Sequence, residues 1–346
     1  MDSNDIAEPG KMRLPPEILM QIIESIAPSS HSVILPATHP TTKAWLAWSL
    51  VCHATSSVAV NLLRKHCVYL DSQKRLGDFV KAILPGSHLP SVPAPAHWPL
   101  HPFLPLPGHW NVTAIYLAPE GTSMSAIIGR WIRYLCYSVY GTLRRLVVNL
   151  PSPIAFPLEN SIGHHPVIWE GFDQLSQLEE FVSLRDDLYF PDRNWSRWLR
   201  YPTWTYWPKL KRLALYNLDA NFKFWQEMAG LEMLEQLVLA RTSSMVQRIS
   251  FTSYTGLTTR PLKVVLANVE SEQPQGLLEA LEPPWVEQAT PLDVMVYDIP
   301  TSFYGDEEPG ELCQSWATSH AVQGTIWDWQ GEHVAVEWKE QQNTQE

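Results

Sequence analysis

Apolar positions in the first 66 residues recur at the spacing of three short helices. The first is predicted to begin at Leu14-Pro15-Pro16-Glu17, because proline suits a first helical turn and a carboxylate is favoured near the positive end of the helix dipole. The second covers 44–53 and is apolar nearly all round, and the third follows Ser56 or Ser57. Three short helices make a poor core alone, so this unit is expected to lean on a partner or on the remaining chain. The first helix carries an apolar stripe of Ile18, Leu19, Ile22, Ile23 and Ile26.

Two segments of this region carry a resemblance to a known family. Leu14-Pro15-Pro16-Glu17-Ile18-Leu19 is followed, after a gap, by Ser49-Leu50-Val51-Cys52, a third helix and the short strand Val68-Tyr69-Leu70. In this order they resemble an F-box of the kind abundant in fungi, over about residues 12 to 70. In the family, a basic residue and a tryptophan often follow the cysteine. In this chain the residues that follow Cys52 are His-Ala-Thr, at positions 53–55.

The resemblance implies a partner and the residues that bind it. F-box helices contact a Skp-type adaptor, and through it a cullin. The alternative from periodicity alone is that the same apolar stripes only pack on the rest of the chain. The implied adaptor-binding residues are Leu14, Pro15, Ile18, Leu19, Ile22, Leu50, Val51 and Cys52.

A change in amino-acid composition separates this unit from the remaining chain. A helix is predicted from Asp71 to Leu84, and residues 85–107 then contain eight prolines and no charged residue. Proline fixes φ and removes a backbone donor, so 71–110 is interpreted as a helix followed by a Pro-rich linker.

Beyond residue 110 one apolar pattern recurs. It has an apolar residue, two free positions, a second apolar residue, one free position and a third apolar residue, with starts 24 to 35 residues apart. Candidate helices lie between the copies, as at 127–140 and 220–228. A strand and a helix repeated at this period are typical of a leucine-rich-repeat-like solenoid, predicted over 111–338. The predicted fold is thus α/β, with short parallel strands alternating with helices behind a three-helix F-box. The alternative is a less regular α/β domain with a parallel sheet.

An aromatic-rich segment, 189–212, interrupts the repeats. Its tryptophans and arginines are residue types enriched at binding hot spots, which favours target recognition. The alternative is that the tryptophans wedge a helix onto the sheet. Positions expected on the concave side of the solenoid add two further candidates. The candidate target-binding residues are Tyr189, Arg193, Trp195, Arg197, Trp198, Arg200, Trp204, Trp207, Tyr216 and Asn268.

The C-terminal region is predicted to end the solenoid. A helix is expected over 311–322, followed by a hairpin that pairs 325–329 with 334–338 about Gln330-Gly331. The segments 1–11 and 339–346 are polar and are predicted to be disordered.

Composition narrows the function classes. The net charge of −11 disfavours a nucleic-acid partner, because phosphate binding needs a concentrated basic surface. No run of 18 apolar residues is present, so no membrane span is expected. The four cysteines lack metal-ligand spacing, which indicates reduced thiols and a cytoplasmic or nuclear location. Catalytic motifs are absent from the sequence, so no enzyme activity, metal or cofactor is expected.

The leading hypothesis is a substrate-recognition adaptor of a Skp–cullin–F-box ubiquitin ligase, whose repeat body binds an unidentified protein target. One alternative is an F-box scaffold that binds the adaptor without ligase function. Another is an unrecognised hydrolase or a carbohydrate-binding protein that uses segment 189–212.

Overall fold

The computed structural model describes residues 15–30, 33–83, 111–119, 125–150, 165–185, 189–191, 200–218, 220–241, 254, 256–269, 292–301 and 307–333. The Pro-rich segment 85–107 and the tails 1–11 and 339–346 lie outside these residues. The helices are α1 (Pro16–Ser25), α2 (Pro40–Ser49), α3 (His53–His66), α4 (Gln73–Ile83), α5 (Ala126–Val139), α6 (His165–Asp173), α7 (Phe222–Gly230) and α8 (Pro309–Gln323). The strands are β1 (Tyr69–Leu70), β2 (Ala114–Leu117), β3 (Arg145–Val148), β4 (Glu180–Ser183), β5 (Tyr189–Pro191), β6 (Arg200–Pro202), β7 (Arg212–Tyr216), β8 (Gln236–Ala240), β9 (Leu262–Val269), β10 (Leu292–Ile299) and β11 (Glu332–His333).

Nine strands form one sheet in the order in which the chain reaches them. The order is β1-β2-β3-β4-β7-β8-β9-β10-β11, and the first eight of these strands are parallel. Strand β11 runs antiparallel to β10, and β5 and β6 form a separate hairpin. The α/β class with a parallel sheet is therefore confirmed.

Helices α4 to α7 cover one face of the sheet. Local caps start two of them, since the Ser125 hydroxyl accepts from the Ile128 amide at 3.3 Å and the Asn221 side chain from the Phe224 amide at 3.1 Å. Their apolar sides join alternate residues of the strands in one large buried cluster. The predicted helices at 127–140 and 220–228 correspond to α5 and α7.

The predicted repeat is displaced by one residue in β9 and β10. The apolar pattern placed Val265 and Met295 at the position that Leu237 occupies in its own repeat. In the structure, Leu237 instead pairs with Val264, and Val264 pairs with Val294. Val265 therefore faces away from the helices. Both strands are apolar on both faces, and alternation cannot fix the register of such a strand.

Helix α8 covers the opposite face of the sheet, which the sequence predicted to be open and concave. Most of the covered strand residues are alanine or valine, and the helix meets them with Cys313, Ala317 and Ala321, one turn apart and all buried. Side chains of the sheet also bind the helix: the Tyr216 hydroxyl donates to the Gly310 carbonyl at 2.9 Å, and the Arg145 guanidinium donates to the Ala321 carbonyl. The expected open face is therefore occupied by the chain itself.

Residues 324–333, the C-terminal strap, return across the beginnings of the strands. The carbonyl of Trp327 accepts from Gln236 at 2.8 Å, and that of Trp329 accepts from Lys263 at 3.3 Å. The predicted helix at 311–322 is confirmed as α8. The predicted hairpin is wrong at its first arm, because 325–328 form a 3-10 helix, and 334–338 lie outside the described residues.

Charges alternate where neighbouring strands begin. Glu180 lies between Arg145 and Arg212, at 2.8 and 3.0 Å, and also accepts from the Trp327 indole at 3.1 Å. Residues one position earlier repeat the alternation as Arg144, Glu179 and Lys211. Each pair joins adjacent strands, so the charges reinforce the observed register.

A histidine at the end of α8 makes the stability of the fold sensitive to mild acid. The His320 ring packs between Trp316 and Trp329, and its Nδ1 lies 2.7 Å from the Thr325 hydroxyl. Burial lowers the pKa of His320 below its ordinary 6.5. The folded state therefore binds the proton less tightly than the unfolded state, and this contribution to stability is complete above pH 6.5 and lost as the pH falls below it.

We expect His320→Gln to reduce the loss of unfolding free energy between about pH 7.5 and about pH 5.5, because glutamine keeps a polar partner for Thr325 but does not titrate. Urea unfolding of both proteins at the two pH values measures the difference. An identical pH dependence in the two proteins would contradict the assignment.

Candidate functional site

Exposed apolar side chains are concentrated near the N-terminus. In the part of the chain that the structure describes, eleven large apolar residues are exposed, and six of them lie between residues 18 and 51. Leu50 and Val51 are the most exposed, at 87% and 62%. Such a concentration on a folded unit is typical of an interaction surface rather than of a core. The six are Ile18, Ile22, Ile26, Leu46, Leu50 and Val51.

The first three of these residues follow one side of α1. They stand four positions apart, which places them one above another on a helix. The helix begins after Pro15, whose carbonyl accepts from the Ile18 amide at 3.0 Å. Ile23 turns inward and is fully buried, whereas Leu19 is half-buried. Helix α1 thus has one inward residue that anchors it and an apolar side left to the solvent.

Helix α2 is held by its tryptophans, which leaves its C-terminal end exposed. Trp45 is buried, and its indole donates to the Ile23 carbonyl at 3.0 Å. The helix ends in a tight turn, where the Leu50 amide donates to the Ala47 carbonyl at 3.1 Å and the Val51 amide to the Trp48 carbonyl at 3.3 Å. Leu50 and Val51 therefore stand on a hydrogen-bonded turn, and a fixed backbone presents them.

Cys52 follows this turn and caps α3. Its thiol lies 3.4 Å from the hydroxyl of Thr55, which is buried and also donates to the Trp48 carbonyl at 2.9 Å. The hydrogen bonds from the Thr55 hydroxyl and backbone amide lower the pKa of the exposed Cys52 thiol. Thr55 thereby ties the turn, the cap and the end of α2 together.

The small core of α1–α3 is separate from the core of the sheet. It is built from Ile23, Leu35, Trp45 and Ala59, with half-buried neighbours such as Trp48 and Leu62. A core of this size is weak for an independent domain. The three helices are therefore expected to depend on their attachment to the sheet for stability.

Most residues of the predicted adaptor-binding set lie on the surface. Pro15, Ile18, Ile22, Leu50, Val51 and Cys52 are exposed, Leu19 is half-buried, and Leu14 lies outside the described residues. Sequence reasoning omitted two exposed apolar residues from this set. Ile26 continues the four-residue spacing of the stripe, which could have identified it. Leu46 belongs to a helix that is apolar nearly all round. The periodicity of this helix therefore did not show that Leu46 is exposed while its neighbour Trp45 is buried.

The described members of the predicted target-binding set do not form one surface. Arg193, Trp195, Arg197 and Trp198 lie outside the described residues. Tyr189 and Arg200 belong to the β5–β6 hairpin, in which Tyr189 pairs with Pro202.

Trp204 and Trp207 are both buried. The Trp207 indole donates to the Phe172 carbonyl at 2.8 Å, and its ring centroid lies 4.7 Å from that of Phe181. This arrangement matches the alternative interpretation, in which the tryptophans wedge a helix onto the sheet.

Tyr216 and Asn268 are also buried, under α8. The Tyr216 hydroxyl binds the helix at Gly310, and the Asn268 side chain accepts from the Val269 amide at 2.9 Å. The prediction that these two side chains face an open concave surface is wrong, because α8 fills that face.

Metal clusters and membrane-spanning helices are both absent from the described ranges. No group of three or more His, Cys, Asp or Glu residues there is placed to hold a metal ion. Every helix in those ranges is too short or too polar to cross a lipid bilayer. Comparisons with protein-family models, with curated proteins and with solved structures find no match to this chain. Function is therefore inferred from the chain's own residues.

Proposed function

We propose that α1–α3 form an F-box unit that docks on a Skp-type adaptor, and that the chain is the substrate-recognition subunit of a cullin-based ubiquitin ligase. The observation that carries the proposal is the exposure of Leu50 and Val51 on the turn after α2. They stand in the motif whose family counterpart binds the adaptor, and Ile18 and Ile22 supply an apolar side on α1.

Burial of these side chains supplies a reason for docking. Fully burying one leucine or isoleucine side chain contributes about 1.5–3 kcal/mol. Leu50 and Val51 expose most of their side-chain surface, and Ile18 and Ile22 are 41% and 40% exposed, so a partner with a matching apolar groove gains part of this amount from each of the four residues. Binding then loses little conformational entropy at the Leu50–Val51 turn, because hydrogen bonds already fix the backbone of this turn in the free protein.

The sheet and its helices are proposed to be a leucine-rich-repeat-like solenoid that carries the target. The sequential order of eight parallel strands supports this interpretation, since each of these strands pairs with the strands that precede and follow it in that order. The subunit would act by position alone. It would raise the effective concentration of a target lysine near the charged ubiquitin-conjugating enzyme, without a metal or cofactor.

The test is binding of a purified Skp-type adaptor to the full chain, measured by titration calorimetry. A Leu14→Ala, Pro15→Ala double variant serves as the comparison, because these residues stand at the start of the motif. Binding that the double variant weakens would support the F-box assignment. A folded chain that does not bind would refute it. A target protein that accumulates when the gene is deleted would separate the ligase subunit from the scaffold alternative.

Thiol labelling gives an independent prediction about the same surface. Cys52 is exposed and its pKa is lowered, burial raises the pKa of Cys67 to about 11, and Cys136 and Cys313 are buried. We therefore expect a maleimide to modify Cys52 first at neutral pH, because the thiolate is the reactive form. A saturating amount of adaptor should protect Cys52. Mass spectrometry of tryptic peptides measures both effects, and unchanged labelling in the complex would place the adaptor elsewhere.

A further inference from the structure

Two consecutive residues between α1 and α2 are buried in two different cores. Ile34 is fully buried in the cluster formed by the sheet and α8, whereas Leu35 belongs to the core of α1–α3. The Ile34 amide donates to the Val322 carbonyl at 2.9 Å, and the Leu35 amide donates to the His66 carbonyl at 2.7 Å. The connector between α1 and α2 is thus clamped between the last turn of α8 and the end of α3.

The last turn of α8 uses two of its carbonyls for this clamp, and one of them, that of Ala321, also accepts from the Gly324 amide at 3.2 Å. The final carbonyls of a helix lack partners within the helix and must be satisfied from outside. Here Arg145 donates to the Ala321 carbonyl, and Ile34 donates to the Val322 carbonyl. Arg145 is itself buried and held by Glu180 at 2.8 Å. One helical turn therefore binds β3 and the N-terminal connector together.

Other contacts attach the N-terminal unit to the sheet through α3 and β1. Strand β1 follows α3 directly and pairs with β2. The Asn111 side chain donates to that of Asn61 at 2.8 Å, and the Thr113 hydroxyl donates to the Lys65 carbonyl at 3.4 Å. These contacts hold the end of α3, while Ile34 holds the α1–α2 side. The unit is therefore attached to the remaining chain through two separate segments, the α1–α2 connector and the end of α3.

We infer that the last turn of α8 is a joint that fixes the orientation of α1–α3 on the sheet. Loosening this turn loosens the N-terminal unit, although nearly the whole chain separates them in sequence. The inference goes beyond the proposed function and does not depend on adaptor binding. If both hold, a partner that displaces α8 changes the position of a docked adaptor relative to the sheet.

Hydrogen exchange of the full-length protein tests the joint without any partner. Gly324 ends α8 with φ 79°, a conformation that is strained for an L-amino acid. We expect Gly324→Ala to speed exchange in the peptide containing Ile34 by about fivefold or more, and to speed exchange in α1 and α2 as well, through local opening. Gly141→Ala is the matched control, because a methyl group there meets no atom within 4 Å. It should leave these peptides unchanged.

A second variant tests the joint from the other side. Ile34→Val removes one methyl group from the clamp and keeps the fold intact even if Gly324→Ala unfolds it. We expect it to speed exchange in the peptide containing Val322. Exchange changes confined to the mutated segment in both variants would overturn the inference. Adaptor binding plays no part in these measurements, so their failure and that of the proposed function are separable.

Discussion

Replacement of Leu50 and Val51 by aspartate is expected to weaken binding of a Skp-type adaptor by more than about a hundredfold. Truncation of an apolar hot-spot residue typically costs about 2 kcal/mol or more, and a tenfold change in affinity corresponds to about 1.4 kcal/mol. Aspartate adds the desolvation of a charge to this loss. The melting temperature should stay within about 2 °C of the parent, because both side chains are exposed in the free protein.

The matched control for this prediction is Leu257→Asp. Leu257 is 59% exposed and lies just before β9, far along the chain from Leu50 and Val51. It introduces one negative charge, against two in the Leu50, Val51 variant, at another exposed leucine. Calorimetric titration of the three proteins with the adaptor should separate them clearly. Equal weakening by both substitutions would indicate a general effect of charge, and unchanged affinity in the Leu50, Val51 variant would remove the surface from the proposal.

Replacement of Trp207 by alanine is expected to lower the free energy of unfolding by about 4 kcal/mol. Removal of a buried tryptophan leaves a large cavity, for which measured losses are about 3–5 kcal/mol. The indole also donates to the Phe172 carbonyl, and the substitution leaves that acceptor without this donor. Chemical denaturation monitored by circular dichroism measures the loss.

Tyr206→Ala is the control for the aromatic segment. Tyr206 is exposed and meets Trp169 edge to face, with ring centroids 5.5 Å apart. Its removal should cost below about 1 kcal/mol. If Trp207→Ala instead leaves stability unchanged, Trp207 is not the wedge that the structure indicates, and the segment regains its interpretation as a recognition loop.

The class of fold follows from the sequence because its two periodicities are clear. Short apolar triplets predict the strands, and the 3.6-residue stripes predict α1 and α4. The candidate helices at 127–140, 220–228 and 311–322 correspond to α5, α7 and α8. The register of β9 and β10 could not be predicted from the sequence. Val264 and Val265 are both apolar and both buried, so their hydropathy does not show which of them faces the helices. The covering of the sheet by α8 did not follow either. This packing depends on small residues in six strands that are distant in the sequence. No local pattern in the sequence of α8 indicates that these residues form its partner surface.

The sequence predicted the candidate site as a motif, but it did not predict the backbone conformation of the turn between α2 and α3. The turn that presents Leu50 and Val51 contains no glycine, proline or asparagine, so the apolar run predicted one helix through it. The structure ends α2 at Ser49 and starts α3 at His53, with Cys52 as the cap. Periodicity therefore placed Leu50 inside a helix, whereas its exposure comes from the turn.

The alternation of charge along the strand beginnings has a consequence for how this chain can evolve. The strands pair in the order in which the chain reaches them, so deletion of the segment that contains β4 would place β3 beside β7. Arg145 would then lie against Arg212, and the two like charges would lose the carboxylate of Glu180 that now lies between them. Like charges on directly opposed strands are destabilising, so the alternation disfavours loss of β4 during evolution.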